Sequence, residues 1–157
     1  MKSSRLDRRH VLGMMAVAAW SVRLPAVGAV ETAGANDNAD ALIRALTAAS
    51  PLREGRVRLA IPSLADTGHS VPVTIEVDSP MTSDDFVKGI HLIAPRNPRP
   101  MVAVFTPSLL SGRALFSTRI RLAGEQDVIG IALHSDGAHS VARAHVVVTA
   151  SACIDGT

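Results

Sequence analysis

Val71-Pro72-Val73-Thr74-Ile75-Glu76-Val77-Asp78 sets four β-branched apolar residues at every second position, with a proline, a threonine and two carboxylates between and after them. A period of two marks an extended chain with one face buried and the other wet, because successive strand side chains point to opposite sides. Working outward, residues 57–61 repeat the pattern, with Val57, Leu59 and Ile61 alternating with Arg58 and Ala60. Residues 86–93, 101–106, 115–122, 128–134 and 139–149 complete a set of seven segments. Turn formers separate them: Pro62, Thr67-Gly68, Ser79-Pro80, the proline-dense stretch 95–100, Ser111-Gly112, Gly124 and Asp136-Gly137. Seven short strands at this spacing, with no helices interleaved, predict an all-β fold, an immunoglobulin-like antiparallel β-sandwich. Asp136-Gly137 is expected to form a two-residue hairpin loop, which would set Ser135 opposite Ala138 and His134 opposite His139.

Ahead of the strands the period changes to that of a helix. Leu42, Ile43 and Leu46 share one face, Asp37 or Asn38 is placed to cap, and Pro51 is expected to end the element. Further upstream, residues 1–29 read as an export signal: basic Lys2, Arg5, Arg8 and Arg9, then an apolar run, then small residues. The pair Arg8-Arg9 resembles the twin-arginine address that exports folded cargo, which predicts a periplasmic location. The apolar run is shorter than the roughly 20 residues a bilayer requires, and no later segment is uninterrupted enough, so no membrane insertion of the mature chain is expected. The expected organisation is therefore residues 1–29 as signal, 30–52 as a helical segment, 53–150 as the sandwich and 151–157 as a tail.

Charge narrows the partners. Residues 1–29 hold five of the sixteen basic residues and one of the fourteen acidic ones, leaving eleven against thirteen. A mature chain of net charge −2, with no tyrosine and no basic stripe, does not suit nucleic acid.

Cys153 is the only cysteine, so no internal disulfide can form. A free thiol of pKa about 8.5 is only a few per cent thiolate at neutral pH, and no neighbouring cation activates it, while Asp155 works against ionisation. With no resolving cysteine, an oxidised or loaded state would persist until a partner attacked it. Such a thiol suits a passive cargo site on a tether; the other reading is an incidental cysteine near a chain end. Across the expected hairpin, His134 and His139 form a weak candidate metal pair lacking a third ligand, so no metal is expected. His91, among Ile90, Leu92 and Ile93, reads as a satisfied strand histidine. Asp84-Asp85 reads as a loop cap, since adjacent strand residues face apart. Ser108, Ser111 and Ser117 lack the turn that a serine nucleophile uses.

The strings Val71 to Asp85, Ile90-His91-Leu92, Asn97-Pro98-Arg99-Pro100, Ser117-Thr118-Arg119-Ile120-Arg121-Leu122-Ala123, Ser135-Asp136-Gly137 and Ala142-Arg143-Ala144 resemble the SoxY family of sulfur-oxidation carrier proteins. That resemblance implies a non-enzymatic periplasmic protein without a cofactor, whose C-terminal cysteine carries covalently bound sulfur intermediates during thiosulfate oxidation. It implies a heterodimer with a SoxZ-like sandwich subunit and dealings with sulfur-oxidising enzymes, cytochromes among them. Cys153 is the residue that matches the carrier cysteine. The family's tail runs Gly-Gly-Cys-Gly-Gly, whereas Cys153 sits between Ser151-Ala152 and Ile154-Asp155-Gly156-Thr157. Side chains there restrict a backbone that glycine would leave free. The altered tail keeps open a second class of function, a structural or binding sandwich with a vestigial cysteine in another periplasmic oxidation system, such as a quinoprotein dehydrogenase.

Overall fold

A computed structural model describes residues 31–150. In chain order they form α1 (Glu31–Thr47), β1 (Leu52–Arg53), β2 (Val57–Ala60), β3 (Leu64–Ala65), β4 (Val71–Val77), β5 (Val87–Ile93), β6 (Met101–Phe105), a short 3-10 turn (Leu109–Ser111), β7 (Ala114–Ile120), β8 (Gln126–His134) and β9 (His139–Val148). The alternation at 71–77 becomes β4, with Val71, Val73, Ile75 and Val77 buried and Pro72 exposed. β4 pairs antiparallel with β2 and β7, Ile75 lying opposite Leu59 and Phe116, and the three make one sheet. The second sheet runs β1-β9-β8-β5-β6, with β3 joining β9 off that path.

Between the sheets lies the main core, where Val73, Ile75, Ile90, Leu92, Val128 and Val146 are almost wholly buried. On the outer side of the larger sheet, Ile93, Ile129, Ile131 and Val141 form a second cluster, covered by Ala39, Leu42, Ile43 and Leu46 of α1. The order of layers is thus helix, large sheet, small sheet, and the larger sheet is buried on both faces where the helix crosses it. Gly130 on β8 lets the two sheets close. A Cβ there would come within 2.5 Å of Ile75 Cδ1, well inside the ordinary carbon–carbon contact of about 3.5–4.0 Å.

Four expectations need correcting. The sandwich is open and mixed rather than wholly antiparallel, because β1 and β3 both pair parallel with β9. Two-residue strands carry no readable period, so the alternation at 71–77 had no counterpart at 52–53 or 64–65. The fourth long strand, β6, pairs with β5 at the edge of the larger sheet. A tight loop keeps it there, Ala94 N–H donating to Pro100 O at 2.8 Å. Asp37 and Asn38 lie inside α1 rather than at its cap, and the helix ends at Thr47, four residues before Pro51. Ala48 and Ala49 take φ values of 46° and 59°, and Ala49 N–H closes the end on Arg44 O at 3.1 Å. Left-handed backbone is costly for alanine, and both residues are exposed.

The hairpin at Asp136-Gly137 exists with a different register. Leu133 faces His139 and Ala132 faces Ser140. His134 N–H donates to Ala138 O at 2.9 Å and Gly137 N–H to His134 O at 3.1 Å, with Gly137 at φ 82°. That is a three-residue loop ending in a left-handed glycine, one residue longer than expected. A one-residue slip moves side chains to the opposite face. His134 therefore points between the sheets and His139 toward the helix side, so the expected cross-strand histidine pair is not formed.

Candidate functional site

The last strand of the sandwich is bonded on both sides near its end. β9 is held by β8 along one side and on its other side by β1 at its start and β3 at its end. Beyond the paired residues Leu64↔Val147 and Ala65↔Val148, a strap of residues 63–68 continues the grip. Val147 N–H donates to Ser63 O at 2.9 Å, Thr149 N–H to Ala65 O at 3.1 Å, and Gly68 N–H to Ala150 O at 2.7 Å. Thr149 also donates its hydroxyl to Asp66 O at 2.7 Å. The strap is itself tied back, since Gly68 O accepts from Leu122 N–H at 2.9 Å. The chain is pinned through Ala150, and Cys153 follows three residues later. Cys153, like Arg8 and Arg9, lies outside the described residues.

Neighbouring loops are knitted at the same end. Asn97, buried to 6 % exposure, donates through Nδ2 to Arg121 O at 2.8 Å, while its Oδ1 accepts from Ala123 N–H at 2.9 Å and Gln126 Nε2 at 3.1 Å. Thus the asparagine of the Asn97-Pro98-Arg99-Pro100 string locks the β5–β6 loop to the β7–β8 loop, a role that spacing alone did not reveal. Beside it a shallow depression of about 310 Å³ is lined by Pro95, Arg96, Gln126, Ile129 and Arg143 and edged by an exposed trio, in which His145 Nδ1 meets Asp127 Oδ1 at 2.8 Å and Nε2 meets Glu125 Oε1 at 3.2 Å. The hydrogen bond to Asp127, and then that to Glu125, holds His145 protonated to higher pH than usual.

Most of the remaining chemical groups have structural partners, three buried histidine nitrogens excepted. His134 is buried, its Nε2 2.6 Å from Ser140 Oγ, and burial lowers its pKa, with the Arg56 charge adding to the effect. The histidine that shares the outer face with His139, across the intervening strand β8, is His91, its pKa lowered by burial and then by the charge of His139. Contrary to expectation, His91 is not satisfied: its Nδ1, like those of His134 and His139, is buried without a partner among the described residues. Among those residues no three ligand-type side chains gather to hold a metal. Asp85 meets Arg56 Nη2 through both carboxylate oxygens at 3.1 and 3.0 Å, and Asp84 offers its backbone carbonyl to Ser135 Oγ, so the two acids brace a loop. Ser108 caps the 3-10 turn and Ser117 Oγ pairs with Thr74 Oγ1 at 2.9 Å.

The described residues form a small sandwich whose final strand is pinned on both sides up to Ala150, three positions before the one cysteine of the sequence. The chain belongs to the SoxY family: the model of the sulfur oxidation protein SoxY matches residues 43–153, well over half of the sequence, and the match ends on Cys153. Among solved structures, the sulfur carrier protein SoxY from Chlorobium limicola f thiosulfatophilum is 28% identical, covering 70% of this chain and 94% of that one at a TM-score of 0.58. Superoxide reductase (neelaredoxin) from Ignicoccus hospitalis matches at a TM-score of 0.53 with 13% identity, over 60% of this chain and 80% of its own, a likeness of fold alone. No curated protein sequence matches the chain. Carriers of the SoxY family are non-enzymatic, and homology gives this chain a sulfur-carrier role.

Proposed function

We propose that Cys153 holds sulfur intermediates covalently during thiosulfate or reduced-sulfur oxidation, and that the chain works as the SoxY-like subunit of a two-sandwich complex in the periplasm. The observation that carries this reading is the pinning of β9 through Ala150. At about 3.3 Å per extended residue, three residues give Cys153 a reach of roughly 10 Å from a rigid base, enough to enter a cleft on an enzyme. Joining a thiol to a sulfur of thiosulfate in a disulfide-type bond releases one proton and two electrons. The loading enzyme must therefore bring an oxidant, and a cytochrome meets that need. An unactivated thiol is adequate because the enzyme supplies the chemistry and the carrier supplies only position.

Membership of a family of periplasmic carriers supports export by the Arg8-Arg9 signal and pairing with a SoxZ-like subunit. No helix among the described residues is long and apolar enough to cross a membrane. Ser151, Ala152 and Ile154 stiffen an arm that the family builds from glycine. That departure is what favours the second reading, a sandwich whose cysteine has lost its cargo.

Intact mass of the complex isolated from cells oxidising thiosulfate separates the two. Reductant-labile adducts mapping to Cys153, with loss of carriage in a folded Cys153→Ser variant, are the expected result. A Cys153→Ser carrier that sustains thiosulfate oxidation as well as its parent would leave the cysteine without a role.

A further inference from the structure

Leu64 and Val147 are 59% and 37% exposed, and they are direct register partners on the parallel strands β3 and β9. Partners in register stand side by side on one face of a sheet, so the two make one continuous apolar spot. Val146 and Val148, on either side of Val147, face the core instead. Nothing in the packing of the sandwich requires apolar side chains at 64 and 147: they contribute to neither of its buried clusters. The other exposed large apolar residues, Val104, Leu109 and Leu110, belong to β6 and the segment after it. β6 stands three strand spacings from β9, about 14 Å across the sheet. The Leu64–Val147 spot is therefore separate, and it sits on the residues that pin the tail. Two positions earlier on β9 stands His145 with Asp127 and Glu125, giving the spot a charged flank.

We infer that Leu64 and Val147 form a docking collar for the apolar rim of the enzyme cleft that takes the Cys153 arm. This rests on the reading of Cys153 as the cargo site. The length of the tail argues for the occupant. Only two residues, Ser151 and Ala152, lie between Ala150 and Cys153, so an enzyme whose reacting centre lies about 10 Å below its surface must bring its rim against the residues around Ala150. Leu64, Val147 and the strap 63–68 are those residues. A collar of this kind serves every enzyme that handles the arm, because each meets the same base whatever chemistry it performs. An apolar contact with a polar flank also suits a carrier that must leave as readily as it arrives, since the buried area is small.

The test uses the full complex carrying Leu64→Ser and Val147→Thr together, with Leu64→Met and Val147→Ile as the conservative counterpart. Thiosulfate loading by the sulfur-oxidising cytochrome of the same cells is followed as the adduct mass on the carrier, against carrier concentration. Reaction of Cys153 with a small aromatic disulfide is followed alongside. The collar predicts a half-saturating concentration raised about tenfold or more for the polar pair, as truncating central interface contacts does. It also predicts an unchanged maximal rate, unchanged reaction with the small reagent, and parental behaviour for the conservative pair. An unchanged half-saturating concentration overturns the inference. So does an equal change in the small-reagent rate, which would place the effect in the tail base, or loss of pairing with the second subunit, which would make that subunit the occupant. If the polar pair leaves too little folded complex by circular dichroism, Leu64→Lys alone is judged by the same readings. Loading of the Cys153→Ser carrier in the same assay would sink the cargo reading itself, an outcome distinct from all of these.

Discussion

Replacing Gly130 by alanine should destabilise the sandwich through a single contact. The added Cβ falls 2.5 Å from Ile75 Cδ1 and 3.7 Å from Leu92 Cδ2, so only the isoleucine terminus is in its way. Ile75 is 1% exposed and Leu92 wholly buried, which leaves that terminus no open space to swing into. Overpacking of this kind costs about 1–3 kcal/mol. A smaller gain of about 0.4–1 kcal/mol from the stiffer unfolded chain offsets part of it. The net expectation is a loss of about 1.3 kcal/mol at the middle of the two ranges, and of no more than about 2.6 kcal/mol. Ile75→Val removes the offending carbon and by itself costs about 0.5–1.5 kcal/mol for the methylene lost from the core. In the double variant the new methyl occupies the vacated volume, so the pair should cost at least 1 kcal/mol less than the sum of the singles. Urea unfolding followed by far-ultraviolet circular dichroism measures all three; fluorescence is unsuited, since the chain has no tyrosine and its one tryptophan is Trp20. Simple additivity would mean that the Gly130–Ile75 approach does not set the spacing of the sheets.

Three further outcomes are expected. Folded His91 and His134 have lowered pKa values, so below about pH 6.5 the unfolded chain binds protons that the folded one refuses; stability should fall as pH drops through that window, and His91→Leu should flatten the fall in urea titrations from pH 7 to 5. Asn97→Ala strips partners from Arg121 O, Ala123 N–H and Gln126 Nε2 in a buried site; it should cost about 2–3 kcal/mol in the same unfolding assay, and a loss under 0.5 kcal/mol would contradict its place as the lock between loops. The Arg56–Asp85 pair is 38% and 43% exposed, so a double-mutant cycle with alanine should return a coupling of only about 0.5 kcal/mol despite its two-oxygen geometry, and a value above 2 kcal/mol would refute that discount for solvent.

What could be read from the sequence was whatever repeats. The alternation of Val71, Val73, Ile75 and Val77 named both the strand and its buried face, and the same period located the other long strands to within a few residues. What could not be read was whatever depends on a single residue or on a distant partner. Leu52–Arg53 and Leu64–Ala65 are strands only because β9 lies beside them, and two residues have no period to display. At the hairpin, Asp136-Gly137 correctly marked the turn, but the extra residue in the loop was invisible, and with it the separation of His134 from His139. The helix stop at Ala48-Ala49 went unseen because alanine is the strongest helix former and seldom takes positive φ. Cys153 was conspicuous from its solitude, whereas the strap that pins β9 just before it joins residues some eighty positions apart.

That strap also decides how the protein bears load. A pull on the chain beyond Ala150 is transmitted along β9. The hydrogen bonds that hold β9 to β8 run across the strand rather than along it. A force on the arm therefore shears the rungs of that ladder together, with those from β3 and the strap sharing it, instead of unzipping them one at a time. The end of β9 is thus attached in the direction in which a sheet yields last.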